Sequence, residues 1–192
     1  SLKSGWRKKY STTFRRSLNG IDVSKQEDVA KVLKEISEKE GRIDAVINTA
    51  GLLDKVPLSN MDYEEIYKSI YINYIGAIII AKESYFYLKQ TKGTLLLFTS
   101  SSYTRGRSLY SLYSSSKAAI VNFTQALSEE WYDQGIRINC INPERTKTPM
   151  RIKNFGVEPE ATLLDPKMVA MTSINVLFSS LTGEVIDIKK GV

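Results

Sequence analysis

The residues best suited to chemistry in this sequence are Tyr113 and Lys117, four positions apart in Tyr-Ser-Ser-Ser-Lys, with Ser100 upstream. Side chains at that spacing lie on one face of a helix. A free phenol titrates near roughly 10, too weak an acid to serve well at neutrality. A nearby ammonium favours the phenolate and lowers that value. Tyr113 would then be a usable proton donor to a carbonyl oxygen gaining negative charge, and the Ser100 hydroxyl could hold the same oxygen. Taken alone the pattern is weak, and a solvated tyrosine beside a surface lysine is its plainer reading.

Such groups converge only if a scaffold positions them. Short apolar runs alternate here with longer helical patterns. Helical periodicity covers 28–39, with Val29, Val32, Leu33 and Ile36 on one face, and stops at Gly41. A buried strand is expected at 43–47, then a helix over 63–88 with a bend near Gly76, and a strand at 94–98 behind Gly93. A helix over 112–132 stops at Gly135. It is followed by a strand at 137–141 broken by Pro143, a helix over 165–179 and a last strand at 185–188. This repetition predicts an α/β fold with a parallel sheet covered on both faces. Ligands of such sheets bind beyond the carboxyl ends of the strands. Asn48, Thr99 to Ser102 and Pro143 all follow strands in this way.

Composition narrows the chemistry. The 192 residues fit one domain over 1–192, with 42% apolar and 25% charged residues, close to the globular average. Cys140 is the single cysteine and histidine is absent, which excludes an internal disulfide, a four-thiolate zinc site, His-based triads and His-ligated metals. No metal is expected. One cysteine points weakly to the reducing cytoplasm. The formal charge of +6 is spread along the chain apart from Arg7, Lys8 and Lys9, which favours a phosphorylated small molecule over nucleic acid. No run is long enough to span a membrane and no signal peptide is visible. Residue 1 is Ser rather than Met, so more chain is expected before it.

Several segments, in order, resemble the short-chain dehydrogenase/reductase family. Asn48-Thr49-Ala50-Gly51 resembles its Asn-Asn-Ala-Gly turn, and Ile72-Asn73-Tyr74-Ile75-Gly76 its mid-helix Val-Asn-x-x-Gly. Ser100 precedes Tyr113 by thirteen residues, as the family's catalytic serine does. Asn139-x-x-x-Pro143 followed by Thr148, Thr182-Gly183 before the final strand, and Asp22-Val23 match further family segments. The resemblance implies a Rossmann-like doubly wound sheet and hydride exchange between a nicotinamide cofactor and a carbonyl or alcohol. It implies Tyr113 as general acid, Lys117 lowering its pKa and binding the nicotinamide ribose, Ser100 orienting the substrate oxygen, and Asn73 holding a water in a proton relay. It places Asp22 and Val23 at adenine, Asn48, Ala50 and Gly51 at the adenosine ribose, and Pro143, Glu144 and Thr148 against the nicotinamide. It also implies a homodimer or homotetramer paired through the helices at 63–88 and 112–132.

The family's glycine-rich Thr-Gly-x-x-x-Gly-x-Gly loop, which follows its first strand and cradles the pyrophosphate, is absent from these residues. If Tyr10 to Phe14 form the second strand, Arg15 or Arg16 follows it where an arginine meets the 2′-phosphate, and NADP(H) is favoured over NAD(H). A solvated basic pair is the alternative. Glu144 replaces the family's glycine after Pro143, and the final strand runs into Lys189 and Lys190 instead of Asp-Gly-Gly. The segment 142–151 with Asn154-Phe155-Gly156 resembles reductase domains of bifunctional CDP-ribitol-forming enzymes of bacterial capsule and teichoic-acid synthesis. Those domains reduce ribulose 5-phosphate with NADPH, often behind a cytidylyltransferase domain. Arg145, Lys147, Arg151 and Lys153 would then grip a sugar phosphate, since arginine can meet phosphate through paired hydrogen bonds. A solvated basic loop remains the plainer alternative. A 3-oxoacyl reductase and a catalytically silent binding domain are the rival functions.

Overall fold

The computed structural model describes residues 21–191. Helix α1 (Gln26–Glu40) opens them and ends at Gly41, whose φ of 78° is the left-handed conformation a glycine supplies cheaply. Strand β1 (Ala45–Ile47) follows, then α2 (Tyr63–Ile70), a π-helical turn (Tyr71–Ile75) and α3 (Gly76–Thr91). Strand β2 (Thr94–Phe98), α4 (Ser111–Glu130), β3 (Arg137–Pro143), α5 (Pro149–Phe155), α6 (Pro166–Leu177) and β4 (Val185–Ile188) complete the order. The four strands form one parallel sheet in the order β1-β2-β3-β4.

Both central strands are apolar throughout because each face of the sheet is covered. On β2, Leu95 and Leu97 join the core formed with α1, α3 and α4, while Leu96 faces the opposite core with Val169 and Val176 of α6. On β3, Ile138 and Cys140 point to the first core and Ile141 to the second. This is the two-sided burial that a parallel sheet requires. At Gly93 a Cβ would lie 2.6 Å from the Asp44 carbonyl, so only glycine lets β1 and β2 start side by side.

Three features differ from the expectation. β1 is shorter than 43–47 and partly open; among the described residues it has a neighbour on one side only, and Ile47 is 43% exposed. The bend near Gly76 is a π-helical turn, and it carries the buried Asn73 inward. Gly76 is needed there because a Cβ would press on Val23 at 3.0 Å. The basic stretch at 145–153 is not all loop: Thr148 caps α5 by accepting from the Arg151 N–H, with Pro149 at the first turn. The proposed strand Tyr10–Phe14 and the arginines Arg15 and Arg16 lie outside the described residues.

Candidate active site

The carboxyl ends of β2 and β3 open onto a cavity of about 650 Å³. Its walls include Gly51 after β1, Ser100 after β2, Tyr113 and Lys117 of α4, and Pro143, Glu144 and Thr148 after β3. Ser100 is in extended conformation, and its hydroxyl oxygen accepts from the Ser102 Oγ at 3.2 Å. The turn into α4 passes through Leu109, which holds a left-handed φ of 71°. Tyr110 then packs its ring against Tyr113 at 6.3 Å and against Phe155 of α5 at 5.9 Å. Tyr110 thus links the Tyr113 phenol to α5.

Lys117 is the buried charge of the site, only 5% exposed. Its ammonium donates to the Phe98 carbonyl at 2.9 Å, and its own carbonyl accepts from the Thr99 hydroxyl at 2.7 Å. Burial pulls its pKa down from 10.5 to about 8. Cys140 lies beneath it, and burial pushes that thiol up to about 12, so it stays neutral. The lysine makes stability depend on pH. Between pH 8 and 10.5 the unfolded chain holds a proton the native protein has released, so native stability rises with pH there. In urea unfolding of wild type and Lys117→Met, the wild type is expected to gain about 1 kcal/mol on the variant between pH 7 and 9. A difference that stays constant over that range would show that the ammonium is not buried.

The expected action of Lys117 on Tyr113 is not what the geometry produces. The ammonium lies over the phenol ring, 5.5 Å from its centre, and is engaged by Phe98. Burial raises the Tyr113 pKa first, while the Ser100 hydroxyl and the Arg151 charge pull it the other way. The phenol therefore keeps its proton through neutrality, as an acid in reduction must.

Asn73 is 2% exposed and pins the loop after β1 to the π-helical turn. Its Oδ1 accepts from the Leu52 N–H at 2.9 Å and its Nδ2 donates to the Leu52 carbonyl at 2.8 Å. Asn48 folds that loop back by accepting from the Ala50 N–H at 3.0 Å. Neither Asn48 nor Ala50 lines the cavity. Asp22 and Val23 do not line it either: the Asp22 carboxylate accepts from the Ser24 hydroxyl, and Val23 packs on the first core.

The cations of the α5 segment separate in the structure. Arg145 and Arg151 line the cavity, whereas Lys147 does not and pairs with Glu160 instead. Arg151 is held by both oxygens of Glu158, at 2.6 and 2.8 Å, and stacks on the Phe155 ring at 3.9 Å. Arg145 reaches the same carboxylate at 3.9 Å. Lys153 pairs with Asp54 at 2.9 Å. Pattern reading missed Tyr110, Phe155, Glu158 and Arg107 on the cavity wall. The signals available beforehand were Phe155 within the Asn154-Phe155-Gly156 segment and the acid at 158, placed after a run of basic residues.

A family model described as short chain dehydrogenase matches residues 10–157. The chain belongs to the short-chain dehydrogenase/reductase family. The residues present fit the nicotinamide end of the cofactor that dehydrogenases of this family use. At Gly51 a Cβ would come within 3.4 Å of Asn73 Oδ1 and 3.7 Å of the Lys117 ammonium. The bare glycine thus leaves space beside a buried ammonium with donors to offer ribose hydroxyls.

The chain is 56% identical over 170 residues to a bifunctional ribulose 5-phosphate reductase/CDP-ribitol pyrophosphorylase, Bcs1, of Haemophilus influenzae. That match covers 88% of this chain and 36% of the relative, so the chain spans about a third of that bifunctional protein. It is 28% identical over 179 residues to a 3-oxoacyl-[acyl-carrier-protein] reductase of Bos taurus, covering 89% of this chain and 75% of that one. Among solved structures, ElxO with NADP bound superposes with a TM-score of 0.76 at 26% identity, covering 88% of this chain and 75% of that one. Within this short-chain dehydrogenase/reductase, no helix of the described residues is long and apolar enough to cross a membrane.

Proposed function

We propose that this short-chain reductase converts the ketone of ribulose 5-phosphate to the alcohol of ribitol 5-phosphate, with NADPH as the hydride source. The observation that carries the proposal is the joining of Ser100, Tyr113 and Lys117 to a cavity with a cationic wall of Arg107, Arg145 and Arg151. The similarity to the Haemophilus reductase supports the choice of sugar phosphate.

When bound, the cofactor supplies hydride to the carbonyl carbon. The protein's own part is to hold the carbonyl oxygen with the Ser100 hydroxyl and to donate the Tyr113 phenolic proton to it as charge develops there. Lys117 holds the ribose side. Asn73 keeps the loop bearing Gly51 against the helix and, in the fuller reading, holds a water that reprotonates Tyr113. Pro143, Glu144 and Thr148 bed the nicotinamide ring. Asp22, Val23, Asn48 and Ala50, which lie off the cavity wall, are assigned to the adenosine end, and Gly51 to the ribose beside Lys117. NADPH over NADH rests on Arg15 and Arg16.

By likeness to the bifunctional Haemophilus relative, the product would go to a CDP-ribitol-forming step of cell-surface polysaccharide synthesis, in the cytoplasm. Pairing of copies through α2, α3 and α4 is supported by the exposed Tyr63, Tyr67, Tyr71 and Phe86.

The test is NADPH oxidation by the full-length natural protein with ribulose 5-phosphate, unphosphorylated ribulose and a 3-oxoacyl thioester. Turnover is expected to be strongest with ribulose 5-phosphate and weaker with NADH. A preference for the thioester would transfer the assignment to acyl reduction. No turnover of any carbonyl by protein that binds NADPH would make the domain catalytically silent.

A further inference from the structure

Four cationic side chains line the cavity: Arg107, Lys117, Arg145 and Arg151. They differ in what already holds them. Arg151 has the Nε–Nη2 edge of its guanidinium taken up by both oxygens of Glu158 and its flat face by Phe155. A phosphate on its remaining Nη1 edge would bind a guanidinium whose charge Glu158 already pairs, and would meet the repulsion of that carboxylate. Arg145 faces the same Glu158. Lys117 is buried at the floor on the Phe98 carbonyl and next to Gly51, on the side that the cofactor takes. Arg107 is the exception. It is exposed, it lines the cavity, and its guanidinium makes no hydrogen bond or ion pair among the described residues.

Its backbone is nevertheless held. The Arg107 N–H donates to the Ser114 hydroxyl at 3.3 Å, and Ser114 is a buried residue of α4 next to Tyr113. The loop carrying Arg107 therefore hangs from the same helix that carries the acid, and it follows the turn that Ser100 and Ser102 make after β2. A ketose phosphate has its ketone at one end and its phosphate at the other. With the ketone at Ser100 and Tyr113, the phosphate needs a cation on the open wall whose donors are uncommitted.

We propose that Arg107 is the residue that binds the phosphate of the substrate and so selects phosphorylated over unphosphorylated ketoses. Arg151 and Glu158 then form a fixed wall that shapes the cavity, and Arg145 adds charge at its rim. This rests on the reading of the substrate as a sugar phosphate.

The experiment compares full-length wild type, Arg107→Ala, Arg107→Lys and Arg105→Ala. Arg105 is a loop neighbour that does not line the cavity. The first readout is the ratio of kcat/KM for ribulose 5-phosphate to that for ribulose. Hydrogen bonds to charged groups contribute enough that Arg107→Ala should reduce this ratio roughly 10- to 100-fold, mainly through KM. Arg107→Lys should restore part of it and Arg105→Ala should keep the wild-type ratio. A ratio unchanged in Arg107→Ala, or lowered equally by Arg105→Ala, overturns the assignment.

The second readout is calorimetric binding of inorganic phosphate to the same proteins. If wild type turns over no phosphorylated ketose yet binds phosphate in an Arg107-dependent way, the substrate reading fails and the anion site stands. If phosphate binding is the same with and without Arg107, the site itself is refuted.

Discussion

Replacing Tyr113 by phenylalanine is expected to lower kcat for carbonyl reduction by about 10²–10⁴-fold, the range that a positioned proton donor contributes. The ring environment should survive, because Tyr110 contacts the aromatic ring and Lys117 lies over its face. Only the hydroxyl is lost, and with it the proton that must reach the carbonyl oxygen as hydride arrives at carbon. Cofactor binding, read by quenching of protein fluorescence with NADPH, should be retained. Loss of turnover with cofactor binding intact supports Tyr113 as the acid. A variant that keeps more than about a tenth of wild-type kcat would assign the proton to another group.

Asn73→Ala should be the most damaging single change to the loop after β1. The side chain satisfies both the N–H and the carbonyl of Leu52, and it does so while almost fully buried. Truncation leaves two backbone groups without partners, at about 1–3 kcal/mol each, so a loss of about 2–6 kcal/mol is expected in urea unfolding. Gly51 precedes Leu52 and lies beside Asn73 and Lys117, so the floor of the cavity should loosen at the same time. Asn73→Asp keeps the acceptor for the Leu52 N–H but loses the donor to its carbonyl. It should unfold at a denaturant concentration between those of wild type and Asn73→Ala if the charge is neutralised by protonation, that is, more so at pH 5 than at pH 8. An Asn73→Ala protein with wild-type stability would mean that this pairing contributes nothing. A direct role for Asn73 in a proton relay predicts more: kcat should fall in Asn73→Asp even where stability is retained.

Arg151 and Glu158 illustrate how charge in a sequence differs from charge in a fold. Four basic residues between 145 and 153 suggested a phosphate grip. Folding brought carboxylates to each of them: Glu158 to Arg145 and Arg151, Glu160 to Lys147, and Asp54 to Lys153. Asp54 is remote in sequence from Lys153, so no local pattern announces that partner. On the cavity wall the guanidinium left uncommitted among the described residues belongs to Arg107, in a loop whose importance no motif indicated.

The order of elements was legible because parallel strands buried on both faces need continuous apolar runs, and amphipathic helices need a periodic stripe. Leu95 to Leu97 and Ile138 to Ile141 carry that signature openly. Tyr113 and Lys117 were legible together because helix geometry alone places such a spacing on one face. Ser100 was legible through its position after a strand, where backbone ends and cavities form.

What sequence could not supply was anything set by distance across the chain. Its residues determined the family and the sheet, and named the candidates for the reacting groups. The tertiary structure decided that burial raises the Tyr113 pKa, that Asn73 reaches Leu52 through a π-helical turn, and which arginine of the cavity wall is left without an acid among the described residues. The reason is physical. Helix and strand periodicity act between near neighbours, whereas desolvation and ion pairing depend on which remote side chains the packed core brings within a few ångströms.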